Sequence, residues 1–370
     1  IGGLAAALLL AESGRSVVLL EKRNQPGGRI GSSKRDGFTV DFGVHLISRG
    51  EKGPLVQLLE RCGVEHGIEF TKVRPIQTTG GESFKFPHDL KGRVPDADFE
   101  AVVKMVTDVK GMSDEETHAF DGQTLEEFLS TYTTDPFVHA CVSQVGFIYC
   151  CIPEYRLSAG EFARCLKWEA EARSSGYPTG GCVSIMEAYL AGLGRYGVDV
   201  RFGVPVDKVL VEDGRAVGVV AGGELVRADY VVCDADFPYA MENLLAGEAR
   251  GRFTDEKLEG MEYSCSCFIL YLGLDKRYPS DAVHSIRFAS DFERNIDDIF
   301  DDARFPDDPS FYCYAPSSLD RSLAPEGCST LYVLVPVPPL ADGGPGWGAE
   351  EVARYRERVL DLVESETVYE

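Results

Sequence analysis

Ile1-Gly2-Gly3-Leu4-Ala5-Ala6-Ala7-Leu8-Leu9-Leu10-Ala11 opens the chain, which continues beyond Gly14 as Ser16-Val17-Val18-Leu19-Leu20-Glu21. The small residues and leucines predict a helix that begins at a glycine pair, and the β-branched run predicts a strand that ends at an acid. Helix, strand and terminal acid in this order make up the second half of a dinucleotide-binding βαβ unit. Gly3 would then be the third glycine of a GxGxxG turn, so we expect a fragment whose first strand and first two glycines lie upstream.

Two features of this segment suit a nucleotide. The free N–H groups at the start of the predicted helix, at Gly2 and Gly3, would face a diphosphate. Glu21 would accept hydrogen bonds from a ribose hydroxyl. A glycine pair before an alanine-rich helix also occurs where a helix packs closely on a strand, so this half-motif leaves a purely structural explanation open.

The residues that follow Glu21 point to a flavin. Arg23 comes first, and the run Gly27-Gly28-Arg29 comes after it. Glycines let the backbone approach a cofactor, and Arg29 supplies a fixed charge for a phosphate. Because this doublet and arginine have no role in a nicotinamide dehydrogenase, the pattern disfavours that class.

Composition sets the limits of the function. The chain has 370 residues, of which 44% are hydrophobic and 26% charged, which is typical of a globular protein of about two domains. The formal net charge of -23 argues against nucleic acid as a partner and against polybasic attachment to anionic lipid. No apolar run approaches the roughly 18 residues that span a bilayer, so only contact with a membrane surface stays open.

Cysteine and histidine spacing predicts no metal site. The 11 cysteines form no CxxC pair, and the six histidines show no ligand spacing. We interpret the cysteines as reduced thiols of a cytoplasmic protein, which is either free in solution or associated with a membrane surface without spanning it.

Periodicity predicts the organisation of the chain. We expect an α/β fold with a Rossmann-like FAD-binding domain, a second α+β substrate domain and a helical insertion. The predicted ranges are 1–90 and 176–240 for the flavin domain, 91–175 for the helical lid, and 241–370 for the sheet and helix of the substrate domain. Helices are predicted at 54–62, 99–109, 125–132, 137–149, 159–173 and 349–366, and a buried strand that runs into a polar loop is predicted over 229–236.

The motif Glu21-x-Arg23-x(3)-Gly27-Gly28-Arg29 resembles that of the flavin-binding amine oxidase and phytoene desaturase superfamily. Later segments are similar in order to the bacterial-type phytoene desaturases, and the similarity covers nearly the whole chain, with residues 91–175 matching least. These segments are Tyr177-Pro178-x-Gly180-Gly181, Asp234-Ala235-Asp236, Val283-His284-Ser285-Ile286, the loop 305–309, the run 316–327 and the run 331–338.

The resemblance implies FAD as the cofactor. It implies that the strand at Val206 meets the adenine and that Gly43, Val44 and His45 lie beside the isoalloxazine ring. The chain departs from the family twice: Gly43-Val44-His45 stands where Gly-Pro-Thr or Gly-Pro-Ser is usual, and Asp234 replaces an asparagine. The closing C-terminal flavin motif of the family is absent, which again predicts a fragment.

The resemblance also implies the reaction, which is desaturation of a long isoprenoid such as phytoene by hydride transfer to the flavin. A polyene reductase similar to retinol saturase, an amine oxidase of the same fold and a non-catalytic carrier of prenyl chains remain alternatives. His45 is the candidate catalytic residue, with a structural role as the alternative, and His284 is interpreted as structural. The oligomeric state is left open.

Overall fold

The computed structural model describes residues 1–44, 46–72, 76–79, 82–172, 175–278, 283–339 and 347–369. The chain divides into two compact units. Unit 1 consists of Ile1–Ser33, Asp41–Phe70 and Pro178–Glu262, and unit 2 consists of Lys34–Val40, Thr71–Tyr177 and Tyr263–Glu370. The three-part division predicted from sequence stays a proposal, but unit 2 joins the helical segment and the later sheet in one compact body.

The helices are α1 (Gly2–Glu12), α2 (Pro54–Arg61), α3 (Asp96–Gly111), α4 (Asp114–His118), α5 (Leu125–Ser130), α6 (Pro136–Cys150), α7 (Ala159–Ala172), α8 (Val183–Arg195), α9 (Phe237–Tyr239), α10 (Asp255–Glu259), α11 (Phe292–Phe300) and α12 (Ala349–Glu366). The strands are β1 (Val18–Glu21), β2 (Ser32–Arg35), β3 (Phe38–Asp41), β4 (Phe70–Thr71), β5 (Ile76–Thr79), β6 (Glu82–Phe84), β7 (Tyr177–Pro178), β8 (Asp199–Phe202), β9 (Val206–Glu212), β10 (Arg215–Ala221), β11 (Glu224–Arg227), β12 (Ser266–Leu274), β13 (His284–Arg287), β14 (Phe311–Tyr314) and β15 (Ser329–Val337). The six predicted helices are all confirmed, with ends that differ by at most a few residues.

The core of unit 1 forms where α1 packs on α8 beside the parallel pair β1–β8. The apolar side chains of α1 lie with those of α8 in one buried cluster. Gly192 permits the close approach of the two helices, because a Cβ there would lie 3.2 Å from Leu8 Cδ1. The helix–strand half of the βαβ unit predicted from the first 21 residues is thereby confirmed.

A three-stranded antiparallel meander, in the order β11-β10-β9, completes unit 1. Its turns are tight: Asp213 and Gly214 have φ of 51° and 74°, and Gly222 and Gly223 have φ of 56° and 80°. Two successive positive φ values are the geometry of the turn that joins twisted hairpin strands. The meander therefore follows from its Asp-Gly and Gly-Gly pairs.

The buried strand predicted in the first part of 229–236 is wrong. A hydrogen bond from Ala228 N–H to the carbonyl of Val217 (3.1 Å) ties the chain to the meander, but no strand is assigned from 228 to 236. Tyr230 and Val232 are 77% and 61% exposed, so they bury little apolar surface. A β-branched run forms a strand only beside a partner strand, and none is described next to this one.

Unit 2 contains a six-stranded mixed sheet in the order β12-β15-β14-β13-β5-β6. β12 and β15 pair antiparallel over nine residues, from Ser266 opposite Val337 to Leu274 opposite Ser329. The apolar side chains of β12, β14 and β15 that include Phe311 and Val333 share one buried cluster with α12. Their burial explains why β15 is a nearly continuous apolar run.

The helices α3 to α7 of unit 2 enclose a second core, which Met105, Phe128 and Phe162 help to fill. Side-chain caps fix where these helices begin. Ser113 and Thr124 each form a capping box with the glutamate three residues later, at the starts of α4 and α5. Of these two helices, α5 was predicted from the sequence and α4 was not.

Candidate functional site

The start of α1 carries Gly2 and Gly3, as predicted, but a carboxylate already lies against it. Asp234 accepts a hydrogen bond from Gly3 N–H at 2.5 Å, and a Cβ on Gly2 would lie 2.5 Å from Asp234 Oδ1. The helix N-terminus attracts negative charge through its free N–H groups. The diphosphate of the expected cofactor and the carboxylate of Asp234 are therefore attracted to the same partial positive charge.

Glu21 lies at the end of β1, where its side chain accepts a hydrogen bond from Arg23 N–H at 2.8 Å. The carbonyls of Glu21 and Arg23 accept hydrogen bonds from Val204 N–H (3.0 Å) and Gly203 N–H (2.9 Å). This pairing prolongs the contact of β1 with the chain that follows β8. The backbone that presents Glu21 is thus held by the segment that follows β8, and Glu21 is half-buried at the carboxyl end of a parallel pair.

Gly27 and Gly28 form a cradle of bare backbone. Their φ angles are +98° and +60°, in the left-handed region that glycine tolerates. A Cβ on Gly27 would lie 2.0 Å from the carbonyl oxygen of Ile30 and 2.5 Å from Met186 Sδ, whereas a Cβ on Gly28 would meet nothing within 4 Å. Gly27 is therefore required by its surroundings, while Gly28 faces open space that a ligand can enter.

Arg29 and Gly43 are brought together by their backbones. The carbonyl of Arg29 accepts a long hydrogen bond from Val44 N–H (3.4 Å), and a Cβ on Gly43 would lie 3.2 Å from that same oxygen. The guanidinium of Arg23 lies over the ring of Phe42, 6.0 Å from its centroid. The glycine doublet and the Gly43-Val44 segment are separate along the chain, but they lie on one surface of unit 1.

Asp41 supports this surface through buried hydrogen bonds. Its partner Cys182 was not predicted from the sequence. The buried carboxylate of Asp41 accepts hydrogen bonds from Ser32 Oγ (2.5 Å) and from Cys182 N–H (3.1 Å). Cys182 Sγ in turn donates to the carbonyl of Val44 at 3.0 Å. Burial, with a smaller contribution from the charge of Asp41, raises the pKa of the Cys182 thiol well above its usual value, so the proton needed for that bond stays in place.

The remaining predicted residues are distributed as follows. Val206 begins β9 and packs, half-buried, in the cluster that also contains Leu20 of β1, so it lies in unit 1 with the glycines. His45, the candidate catalytic residue, lies outside the described residues. Its role stays a prediction.

His284 belongs to unit 2 and is fully buried in β13. Its Nδ1 shares a hydrogen bond with the hydroxyl of Tyr312, and its ring stacks on Tyr314 at 4.9 Å between centroids. Burial lowers the pKa of His284 to about 3, so the ring is neutral at ordinary pH. A neutral, enclosed imidazole supports the structural role expected for it.

The described residues of unit 1 fit the nucleotide part of FAD. Unit 1 combines a helix N-terminus that Asp234 also contacts, a half-buried acid at a strand end, a side-chain-free cradle and an exposed arginine, which match the diphosphate and ribose of FAD. Among the described residues, no group of three or more His, Cys, Asp or Glu side chains is arranged to hold a metal ion. No described helix combines the length and hydropathy needed to cross a bilayer.

Comparison with known proteins agrees with this fit. Residues 1–263 match the family described as flavin containing amine oxidoreductase. The chain is 32% identical to a zeta-carotene-forming phytoene desaturase of Myxococcus xanthus over 91% of this chain and 71% of that protein. It is 30% identical to a 4,4'-diapophytoene desaturase (4,4'-diapolycopene-forming) of a Methylomonas species, over 98% of this chain and 76% of that protein.

A solved structure shows the same fold. The crystal structure of an oxidoreductase from Methanosarcina mazei superposes with a TM-score of 0.76, covering 98% of this chain and 82% of that chain at 16% identity. The predicted α/β fold class, with its Rossmann-like flavin domain, is confirmed by these matches. From the cradle at Gly27 and the family match over 263 residues, we conclude that the chain belongs to the flavin-containing amine oxidoreductases and uses FAD as its cofactor.

Proposed function

We propose that this protein is an FAD-dependent desaturase that removes two hydrogens across a C–C bond of a long isoprenoid such as phytoene or 4,4'-diapophytoene. One observation carries the proposal. The chain aligns over 91% and 98% of its length with relatives named for these two desaturations, at 32% and 30% identity. A non-catalytic prenyl carrier would have no reason to keep the complete Glu21, Arg23 and Gly27-Gly28-Arg29 set.

When bound, FAD supplies the hydride acceptor for this reaction. We assign Gly2, Gly3 and Gly28 to the diphosphate, Glu21 to the ribose, Arg29 to a phosphate, and Val206 to the adenine side. The Gly43-Val44 segment, which Cys182 holds through the carbonyl of Val44, would orient the ring. A conjugated substrate stabilises developing charge itself, so the protein contributes mainly by positioning the reactants and excluding water.

An absorbance spectrum of the purified full-length protein tests the cofactor assignment. We expect the two visible bands of an oxidised flavin and release of FAD on denaturation. Glu21→Gln and Arg29→Gln should lower the flavin content per protein while far-ultraviolet circular dichroism stays unchanged. A folded, colourless wild type that takes up no added FAD would contradict the proposal.

Product analysis tests the substrate. We expect pigment to form when the full-length gene is expressed in a host that accumulates phytoene or 4,4'-diapophytoene. Parallel incubation with a retinoid separates desaturation from saturation, and an amine substrate separates it from amine oxidation. Saturated retinoid or oxidised amine, with phytoene recovered unchanged, would favour the alternatives.

We further propose that the protein takes its lipophilic substrate at a neutral membrane surface. Trp168 on α7 and Val103 on α3 are 39% and 45% exposed, and these two helices pack together in unit 2. The net charge of -23 opposes anionic lipid, so uncharged headgroups should bind better. Flotation with phosphatidylcholine vesicles should carry the wild type upward and leave the double variant Val103→Glu and Trp168→Glu behind; a wild type that does not float would refute this part.

A further inference from the structure

The start of α8 contacts both parts of the surface assigned to the cofactor. Met186 Sδ lies where a Cβ on Gly27 of the cradle would come within 2.5 Å of it, and Cys182 Sγ donates to the carbonyl of Val44 at 3.0 Å. Side chains four positions apart project from the same face of a helix. One helical face therefore supports the cradle and the Gly43-Val44 segment together.

The position of Cys182 is fixed through its backbone. Gly180 and Gly181 have φ of +83° and +86°, and this turn leads directly into Cys182, which is fully buried. Its N–H donates to Asp41 Oδ1 at 3.1 Å, and the same oxygen accepts from Ser32 Oγ at 2.5 Å. Because Asp41 is itself only 5% exposed, bulk water does not compete for these bonds. The sulfur of Cys182 thus has a defined place beside the cofactor surface.

Val44 is restrained on both sides of its Cα. Its N–H donates to the carbonyl of Arg29 at 3.4 Å, and its carbonyl accepts from the Cys182 thiol at 3.0 Å. The first of these bonds is long, so the place of the Val44 carbonyl depends mainly on the thiol. The side chain of Val44 is 41% exposed, so this restraint acts on an apolar group at the surface of unit 1.

This contact does not follow from burial alone. Cys62 is 2% exposed and lies in the same core cluster of unit 1 as Cys182. Among the hydrogen bonds of the described residues, however, none involves the sulfur of Cys62, whereas the sulfur of Cys182 donates to a backbone carbonyl. The two buried thiols of one core therefore differ in a way that a pair of variants can use.

We propose that Cys182 is a positioning residue for the flavin. Its thiol, supported by Asp41, keeps the Gly43-Val44 segment in the conformation that receives the isoalloxazine ring, and it acts through the carbonyl of Val44 rather than by contact with the cofactor. This role rests on the proposed placement of the Gly43-Val44 segment at the ring. A surface held in its binding conformation needs less ordering when the cofactor binds, so the hydrogen bond contributes to affinity.

Replacement by alanine and by serine separates the hydrogen bond from the packing. Both variants lose the sulfur, but only Cys182→Ser keeps a donor for the carbonyl of Val44. We expect Cys182→Ala to raise the dissociation constant of FAD about threefold to tenfold, as loss of one buried hydrogen bond implies, and Cys182→Ser to stay within about twofold of the wild type. Titration of the flavin-free, full-length protein with FAD gives these values.

Cys62 provides the matched control. Cys62→Ala and Cys62→Ser should bind FAD equally well, because serine has no bond to the cofactor surface to restore there. Thermal unfolding of the four flavin-free variants measures what each substitution costs in packing. A loss of affinity that follows stability at both positions would assign Cys182 to the core alone and would overturn the proposal.

The visible spectrum of the bound flavin gives a readout that a purely structural role would not change. A ring held in one environment has better resolved vibrational structure in its absorption bands, so Cys182→Ala should blur this structure and Cys182→Ser should keep it. The proposal fails if the alanine and serine variants bind FAD equally or if their flavin spectra coincide. A wild type that takes up no FAD would contradict the cofactor assignment itself, whereas equal variants of a pigment-forming wild type would contradict only the role of Cys182.

Discussion

At the scale of single residues, the carbonyl oxygen of Ile30 limits which amino acid can stand at position 27 of the cradle. A side chain there would collide with the carbonyl of Ile30 at 2.0 Å, in a conformation of φ +98°. The surrounding atoms are backbone and the buried Met186, so the clash has little room to relax. The cradle therefore requires glycine at position 27, because any side chain there would collide with its surroundings.

Gly27→Ala should therefore reduce the FAD bound per protein at least about tenfold and destabilise the protein by about 2–4 kcal/mol. Flavin absorbance and thermal unfolding measure the two effects. Gly14→Ala is the matched control, since Gly14 also has positive φ (+83°) but a Cβ there meets nothing within 4 Å. The control should cost only about 1–2 kcal/mol and keep its flavin; equal flavin loss in both variants would refute the steric argument.

His284 makes stability depend on pH in a definite direction. Its pKa is about 3 in the folded protein because of burial, while in the unfolded chain it is near 6.5. Between these values the unfolded state binds the proton and the folded state does not. The stability is therefore complete above about pH 6.5 and falls as the pH drops toward 3, with a slope of up to about 1.4 kcal/mol per pH unit from this residue.

Chemical denaturation at several pH values between these limits should show that slope, and His284→Gln should flatten it. The exposed His88 gives a control, because His88→Gln should leave the wild-type slope unchanged. Protonation of paired carboxylates adds to the slope in every variant, so the difference between variants is the relevant quantity. A slope that is the same in His284→Gln and in the wild type would count against this explanation.

At the scale of elements, the N-terminus of α1 is shared between Asp234 and the cofactor. The carboxylate of Asp234 accepts from Gly3 N–H at 2.5 Å and stabilises the helix, but it also places a negative charge where the diphosphate of FAD should bind. An asparagine can accept the same hydrogen bond without the charge. Helix stability and flavin affinity thus have opposite requirements at this position.

Asp234→Asn should bind FAD about threefold to tenfold more tightly, because a like charge is removed at close range. It should also unfold slightly more easily, by about 0.3–1 kcal/mol, since the helix loses a favourable charge at its N-terminus. Titration of the flavin-free protein with FAD and thermal unfolding measure these changes. Asp236→Asn, which removes an equal charge at the cap of α9, should not alter the FAD affinity; unchanged or weaker affinity in Asp234→Asn would disprove the competition.

At the scale of the whole molecule, the excess of acidic groups is the dominant electrostatic property. With 60 acidic and 37 basic side chains, repulsion between surface charges opposes the compact state. Several clusters are already neutralised locally, as where Arg294 and Arg304 both pair with Asp298. The remaining repulsion acts over distances that salt can screen.

Raising the salt from about 10 mM to about 150 mM shortens the screening length to roughly 8 Å and should raise the unfolding temperature by several degrees. Sodium chloride and potassium chloride should act alike, because screening depends on ionic strength alone. A lower unfolding temperature in added salt would show that attractive ion pairs outweigh the general repulsion. Differential scanning calorimetry of the holoprotein provides the measurement.

Local signals predicted much of this molecule correctly. The helix at 349–366 was placed to the residue, because its periodicity is strong. The segment 229–236 failed, because a β-branched run describes a preference that needs a neighbouring strand. Local preference is therefore reliable where the stabilising bonds lie within the element itself.

The cofactor class was contained in the sequence, since a helix start, an acid and a glycine doublet bind a nucleotide through backbone atoms at short, fixed spacing. The long-range contacts that support this site were not contained in the sequence. Cys182 reaches Asp41 across 141 positions, and Gly3 reaches Asp234 across 231. Spacing along the chain carries no information on such pairs, because folding closes those distances through the packing of a core that many residues share.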